Sequence, residues 1–238
     1  MRKVRADLHL HTCLSPCADP EMQARAIVKQ ARKVGLDMIA ICDHNSAENV
    51  AAVAQAGLRE ALPVIPGIEI TSSEEVHILG LFKTEQDLMR VQEVVYEHLP
   101  GENCEQAFGH QTIIDEWDNT VGTNHKLLIG ASNLTLENVV EIIHHWSGLA
   151  IASHVDRERF GLIGQLGFIP KGLKLDALEV SSPYAATKEY DYPVIYSSDA
   201  HFLDDIGVNP SCFLLEEVSI LEIAKALRQE LGRMILHN

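Results

Sequence analysis

Histidines and carboxylates recur in this chain where apolar runs end. His9 and His11 form an H-x-H pair, and Asp43-His44 closes a second apolar run. Glu69 lies between Ile68 and Ile70, and His77 lies between Val76 and Ile78. Ser153-His154 and Asp199-Ala200-His201 follow two later runs. Imidazole and carboxylate ligands suit zinc, iron and manganese, and one carboxylate can bridge two ions ~3.5–4 Å apart. On a strand, residues i and i+2 share a face, so His9 and His11 can reach one ion together, as can Asp199 and His201. Each piece has a plainer reading alone: a surface coincidence, a capped turn, a solvated carboxylate or a satisfied core histidine. The set is harder to dismiss, because eight ligand-type residues fall on so many strand ends.

The elements that must position them alternate. Strands are expected at Val4 to Leu10, Leu36 to Cys42, Val64 to Ile70 with a bend at Pro66-Gly67, and Val76 to Phe82. Shorter ones are expected at Leu149 to Ala152, Ala177 to Val180, Val194 to Ser197 and Cys212 to Leu215. Helical spacing covers Ala24 to Val34 with Gly35 as its C-cap, Ala47 to Ala61, and Glu85 to Leu99. It returns at Leu136 to Trp146, with Thr135 as N-cap, and at Ile220 to Leu231. Residues 101–130 lack clear periodicity and read as an insertion, a loop or lid over one face. Strands alternating with helices predict an α/β fold with a mostly parallel sheet, and seven or eight such units favour a closed barrel. In a parallel barrel the C-terminal strand ends lie on one face, so these scattered residues converge there, although His77 stands near the start of its strand.

At 238 residues the chain suits one large domain. Its five cysteines (13, 17, 42, 104 and 212) are an odd number and argue against a disulfide framework. The basic N-terminus runs into Asp7 and His9 rather than an apolar stretch, so no signal peptide is read and a cytoplasmic location is expected. No apolar run approaches the ~18 residues of a membrane span, so no membrane partner is expected. The net charge of −15 repels a nucleic-acid backbone at long range, so duplex nucleic acid is not expected as a partner. A nucleic-acid end stays open as substrate, since bound divalent cations reverse the local field.

Ala6-Asp7-Leu8-His9-Leu10-His11-Thr12, Cys42-Asp43-His44-Asn45, Pro66-Gly67-Ile68-Glu69-Ile70, His77, Ser153-His154-Val155-Asp156-Arg157 and Ser198-Asp199-Ala200-His201 together resemble the polymerase and histidinol phosphatase (PHP) superfamily. The motifs follow the family's order across almost the whole chain. The resemblance implies a distorted seven-stranded β/α barrel of the TIM type, a single domain over residues 1–238 with the insertion at about 101–130. It also implies two or three divalent ions, zinc, manganese or iron. By the family pattern, His9, His11, Glu69 and Asp199 hold a first ion, His44 and His201 a second, and His77 and His154 a third that Glu69 bridges. Some members carry a further His or Asp soon after the H-x-H; here that place falls on Cys17, with Asp19 close behind. A Cys17 thiolate favours zinc or iron, and Asp19 is the better donor for manganese or magnesium.

The activity implied is hydrolysis of a phosphate ester by metal-activated water, on a small phosphorylated metabolite or nucleotide. Arg157, three residues past His154, is a candidate phosphate clamp, with an exposed salt bridge as its alternative. Trimming of oligonucleotide ends is a second reading. A metal-dependent amidohydrolase is a third, but its bridging lysine would have to be Lys126 in the irregular stretch. A non-catalytic, metal-stabilised domain is a fourth. His98, His110, His125, His144, His145 and His237 are set aside for want of a strand-end position.

Overall fold

The computed structural model describes residues 1–181 and 191–236. β1 (Arg2–Leu10), β2 (Met38–Ile41) and β3 (Val64–Thr71) are joined in parallel, with α1 (Ala24–Lys33) and α2 (Val50–Arg59) as crossovers. β4 (His77–Leu81) then turns back antiparallel on β3. After α3 (Glu85–His98) come the short α4 (Glu105–Phe108) and a hairpin of β5 (Thr112–Ile114) and β6 (Thr120–Thr123), which forms its own small sheet. The chain returns through α5 (Leu136–His145) to β7 (Leu149–Ala152), antiparallel to β4. β8 (Ala177–Val180), reached through α6 (Leu162–Leu166), and β9 (Val194–Tyr196) continue in parallel. Beyond β9, Ala200 bridges back to Leu10, which nearly closes a seven-stranded barrel of β1–β4 and β7–β9. β10 (Ser211–Leu215) pairs antiparallel with the first half of β1 and β11 (Met234–Ile235) pairs with β10, with α7 (Ile220–Leu227) between them in sequence.

The expected alternation is therefore present, with β4 as the principal distortion. β4 runs against its neighbours, so its first residue lies beside the last residues of β3: Thr71 pairs with His77. That reversal puts a strand start on the face where the other strands end.

Inward and outward residues form two separate cores. Ala40, Ile65, Leu79, Ile151, Ala177 and Ile195 point into the barrel, where α7 adds Ile220, Ile223 and Leu227. Ile39, Ile41, Ile68, Ile70, Ile78 and Val180 point out and pack under the helices. Strands covered on both faces have no solvent side, which explains their nearly unbroken apolar runs.

Period two carries the inward phase from Ile65 through Gly67 to Glu69, and back from Leu81 through Leu79 to His77. β1 breaks this rule. Val4, Ala6 and Leu8 are inward, yet Leu10 is outward. The pairing register slips between Asp7 and Leu10, three residues against two on β2, which is a β-bulge. The bulge switches the inward phase from even to odd numbers and so aims His9 and His11 at the barrel mouth.

Local signals set several ends. Gly35 follows α1 at φ +75°, and the Thr135 and Ser219 hydroxyls accept from Asn138 and Glu222 amides to cap α5 and α7. Between 101 and 130 the irregularity hides the β5–β6 hairpin, whose turn is held by Asp115 accepting from the Trp117 and Asn119 amides. Asn49 ties the hairpin to the rest by donating to the Thr112 carbonyl and accepting from the Ile114 amide.

Candidate metal centre

Glu69 is at the middle of the barrel mouth and is fully buried. Oε1 lies 3.3 Å from His9 Nε2, 3.0 Å from His77 Nδ1 and 3.3 Å from His154 Nε2. Oε2 lies 2.9 Å from His44 Nδ1 and 3.5 Å from His11 Nε2. His11 Nε2 and His9 Nε2 are in turn 3.0 and 3.3 Å from Asp199 Oδ1. A tetrahedral ion at ~2.0–2.1 Å from its ligands separates neighbouring donor atoms by roughly 3.3 Å, which is the spacing found here.

Three donor sets are close enough to hold an ion: His9, His11, Glu69 and Asp199; His11, His44 and His201; and His44, Glu69 and His77. The hydrogen bonding agrees with that use. Both Glu69 oxygens and the Nδ1 atoms of His44, His77 and His154 are buried yet make no well-directed hydrogen bond within the protein. Leaving such atoms unpaired in a dry interior is costly, and a cation is the partner that suits several of them together. The residues present therefore fit a multinuclear site of nitrogen and oxygen ligands.

The electrostatics point the same way. Burial alone would lower the His9 pKa, but Glu179, Asp199 and Glu69 outweigh it and hold a proton there well above the usual range. Burial would raise Glu69, but His77, His9 and His44 keep its carboxyl well below the usual range. His11 is pushed well below by burial, then by His201 and His44. A cation among these groups would do the balancing that protons otherwise do.

Three positioning groups were not picked out from the sequence. Glu179 accepts from His9 Nδ1 at 3.1 Å and from the His154 amide, which leaves His9 Nε2 free to face Glu69 and Asp199. Asp43 accepts from the Thr12 amide and from Ser15 Oγ, and Ser15 Oγ meets His11 Nδ1 at 3.0 Å. Asp7 accepts from the Ser198 and Gly207 amides and so anchors the segment that carries Asp199 and His201. Burial lifts the Asp7 pKa to about 6 despite those bonds. A glutamate inside the buried run Ala177–Val180 was the available signal for Glu179; Asp7 and Asp43 were hidden inside recognised motifs.

The structure brings the eight strand-end residues together. Cys17 is exposed, with Sγ 3.1 Å from His201 Nε2. Burial of its sulfur would raise the thiol pKa, but hydrogen bonds from His201 and His44 pull it down to about 6. Asp19 turns its carboxylate to the Glu21 amide, and it is joined to His201 through its own amide. Arg157 is 43% exposed and reaches across the mouth to Asp199 Oδ2 and Ser181 Oγ. Among the histidines set aside, His144 meets Asp176 and His98 meets the Val94 carbonyl; His237 lies outside the described residues.

A nearly closed β/α barrel with a histidine–carboxylate cluster at the strand ends defines a class of metal-dependent hydrolase. The PHP domain family matches residues 7–167, and the chain belongs to that family. It is 31% identical over 80 residues to the phosphoribosyl 1,2-cyclic phosphate 1,2-diphosphodiesterase of Eggerthella lenta, a match covering 32% of this chain and 29% of that enzyme. Its fold is similar to that of a lesion-specific endonuclease, endonuclease Q, from Pyrococcus furiosus, with TM-score 0.75 and 20% identity over 98% of this chain and 58% of that one. An endonuclease Q complex with a 27-mer duplex, bearing an abasic lesion at the active site, aligns with TM-score 0.71 and 19% identity over the same shares. The chain thus spans little more than half of the endonuclease Q structures.

That complex corrects the expectation about duplex nucleic acid. A similar fold holds a duplex there, so the fold does not exclude duplex nucleic acid. Among the described residues, no helix is long and apolar enough to cross a membrane.

Proposed function

We propose that this chain hydrolyses a phosphodiester bond with the help of two or three divalent ions, and that its substrate is a nucleic-acid strand. The observation that carries the reading is Glu69, a buried carboxylate with both oxygens free of well-directed hydrogen bonds and five histidines within 3.5 Å. Zinc, manganese or iron fits its donor set. Both named relatives support the bond type, one a diphosphodiesterase and the other an endonuclease. The likeness to endonuclease Q over 98% of the chain supports the substrate class.

Divalent ions, when bound, supply a water nucleophile at neutral pH and neutralise charge on the phosphoryl oxygens. The chain's own residues do the rest. His9, His11, Glu69 and Asp199 form the four-membered donor set. His44 and His201 on one side, and His77 and His154 on the other, extend it. Glu179 and Ser15 fix the His9 and His11 rings by their far nitrogens, and such support commonly governs metal affinity by 10–100-fold. Arg157 stands at the exposed rim, where its guanidinium can meet a phosphoryl oxygen while steadying Asp199.

The test is hydrolysis by protein reconstituted separately with zinc, manganese and iron. Bis(p-nitrophenyl) phosphate should be cleaved faster than p-nitrophenyl phosphate, and single-stranded or duplex oligonucleotides should be cut. Chelation should abolish both. Hydrolysis confined to the monoester would overturn the diester reading.

A further inference from the structure

Phe160 occupies an unusual place beside the metal centre. Its ring stacks on the imidazole of His77, with centroids 4.5 Å apart and planes 16° from parallel. Its carbonyl accepts from the His77 amide at 3.0 Å. Its backbone has φ +59°, the left-handed region, which a bulky residue enters only at a cost. Yet the residue remains 36% exposed.

The surrounding loop holds this conformation in place. Arg157 donates its amide to the His154 carbonyl. A Cβ on Gly161 would come within 2.4 Å of the Arg157 carbonyl and 2.8 Å of that of His154. The loop is therefore closely wound just after Phe160, with room only for glycine at 161.

The backbone bond to His77 does not require a phenyl ring. Any residue offers the carbonyl, and glycine would adopt φ +59° with less strain. Burial does not explain the ring either, because the residue is not buried. One face is covered by His77, so the exposed surface belongs to the rest of the ring, and exposed Arg157, Glu158 and Arg159 immediately precede it in the chain. An exposed aromatic ring in a loop that also carries exposed guanidinium groups is a pairing that binds nucleotide units: rings stack, and phosphates meet the charge.

We propose that Phe160 is a stacking platform for a base of the substrate, seating the nucleotide next to the scissile phosphate. This rests on the nucleic-acid reading above and makes it more specific. Phe160 then sets the orientation of the strand, while the histidine–carboxylate cluster acts on the bond.

The test compares adenosine 5′-monophosphate with ribose 5-phosphate, which has the same phosphate without the base. Binding is measured by calorimetry on metal-loaded wild type, Phe160→Leu and Phe160→Trp. Leucine keeps an apolar side chain over His77 but has no π face. Wild type should prefer the nucleotide by on the order of ten-fold. Phe160→Trp should keep that preference, and Phe160→Leu should lose most of it with metal content unchanged. Equal affinities in wild type, no binding of either compound, or a preference that survives in Phe160→Leu would each overturn the platform. So would loss of metal in Phe160→Leu, which would make the ring a support for His77. Bis(p-nitrophenyl) phosphate hydrolysis by the same preparations separates the two readings. Hydrolysis without base preference sinks the platform alone; base preference without hydrolysis sinks the diester reading alone.

Discussion

At the scale of single residues, Glu69 and Cys17 make contrasting claims on the metal centre. Glu69 is buried and reaches five histidines, whereas Cys17 is exposed and meets the edge of the site at His201. Glu69→Gln should therefore lose most bound metal and nearly all activity, while Cys17→Ser loses at most one ion and part of the rate. Elemental analysis with steady-state kinetics decides this; small, equal losses would remove Glu69 from the bridging position. Arg157→Ala separates two roles in the same way. A phosphate contact alone predicts a KM rise of about 10- to 100-fold, from a charge-assisted bond worth ~1.5–3 kcal/mol, with metal content intact. Because Arg157 also pairs with Asp199, some loss of metal is the expected addition. Wild-type kinetics and metal content together would place the side chain in solvent. The eight strand-end residues were legible in the sequence because their types are rare inside apolar runs. Glu179 and Ser15 were not, since nothing in one sequence says which carboxylate or hydroxyl stands behind which imidazole.

At the scale of elements, the long runs announced themselves. Leu149–Ala152 and Ala177–Val180 are strands where expected, and the helices fall close to their periodic segments. What escaped was geometry that depends on a partner. The direction of β4 is set by its pairing with β3 and β7, and the β1 bulge shows only in the register against β2. β5 and β6, at three and four residues, are too short for periodicity and depend on Asp115 and Asn49. The C-terminal unit shows a similar dependence on particular side chains. Glu222 on α7 accepts from Arg233 Nε at 2.9 Å, from Lys225 Nζ at 2.7 Å and from the Glu216 amide at 2.9 Å. Arg233, then Lys225 and the Glu216 amide, lower the Glu222 pKa from 4.5 to about 2. A carboxyl depressed on folding contributes stability that is fully present above the unfolded value and disappears as pH falls through the folded one. Glu222→Gln should thus be less stable than wild type at pH 7, and the gap should close between about pH 5 and pH 2. Urea melts across that range test it, and a gap independent of pH would mean the ion pairing is not the source.

At the scale of the whole molecule, net charge was the least informative reading. The −15 total includes buried carboxylates such as Asp7, Asp43, Glu69 and Glu179, so it is not a measure of the surface. Screening over ~8 Å at physiological ionic strength leaves a binding face governed by its own groups. Here those include Arg157, which pairs with Asp199 at the mouth, and a donor cluster able to hold cations, so the total charge does not decide the substrate. The same cluster links metal to the stability of the fold. Its candidate ligands come from β1, β3, β4 and the segments after β1, β2, β7 and β9, so an occupied centre would fasten strands from around the barrel. An ion that binds only the folded chain stabilises it by about 2.7 kcal/mol at a free concentration 100 times its Kd. For a chain of 238 residues that corresponds to a Tm rise of roughly 5–10 °C. Chelation should lower Tm by that order, and restoring zinc, manganese or iron should recover it. Because imidazole ligands must be neutral to bind, the rise should shrink as pH falls from 7 towards 5. Glu69→Gln should show little of it at any pH. Calorimetric scans of both proteins with and without metal check all three statements. An undiminished rise in Glu69→Gln would place the stabilising ion elsewhere in the molecule, and no rise in wild type would mean the barrel mouth holds its shape without ions.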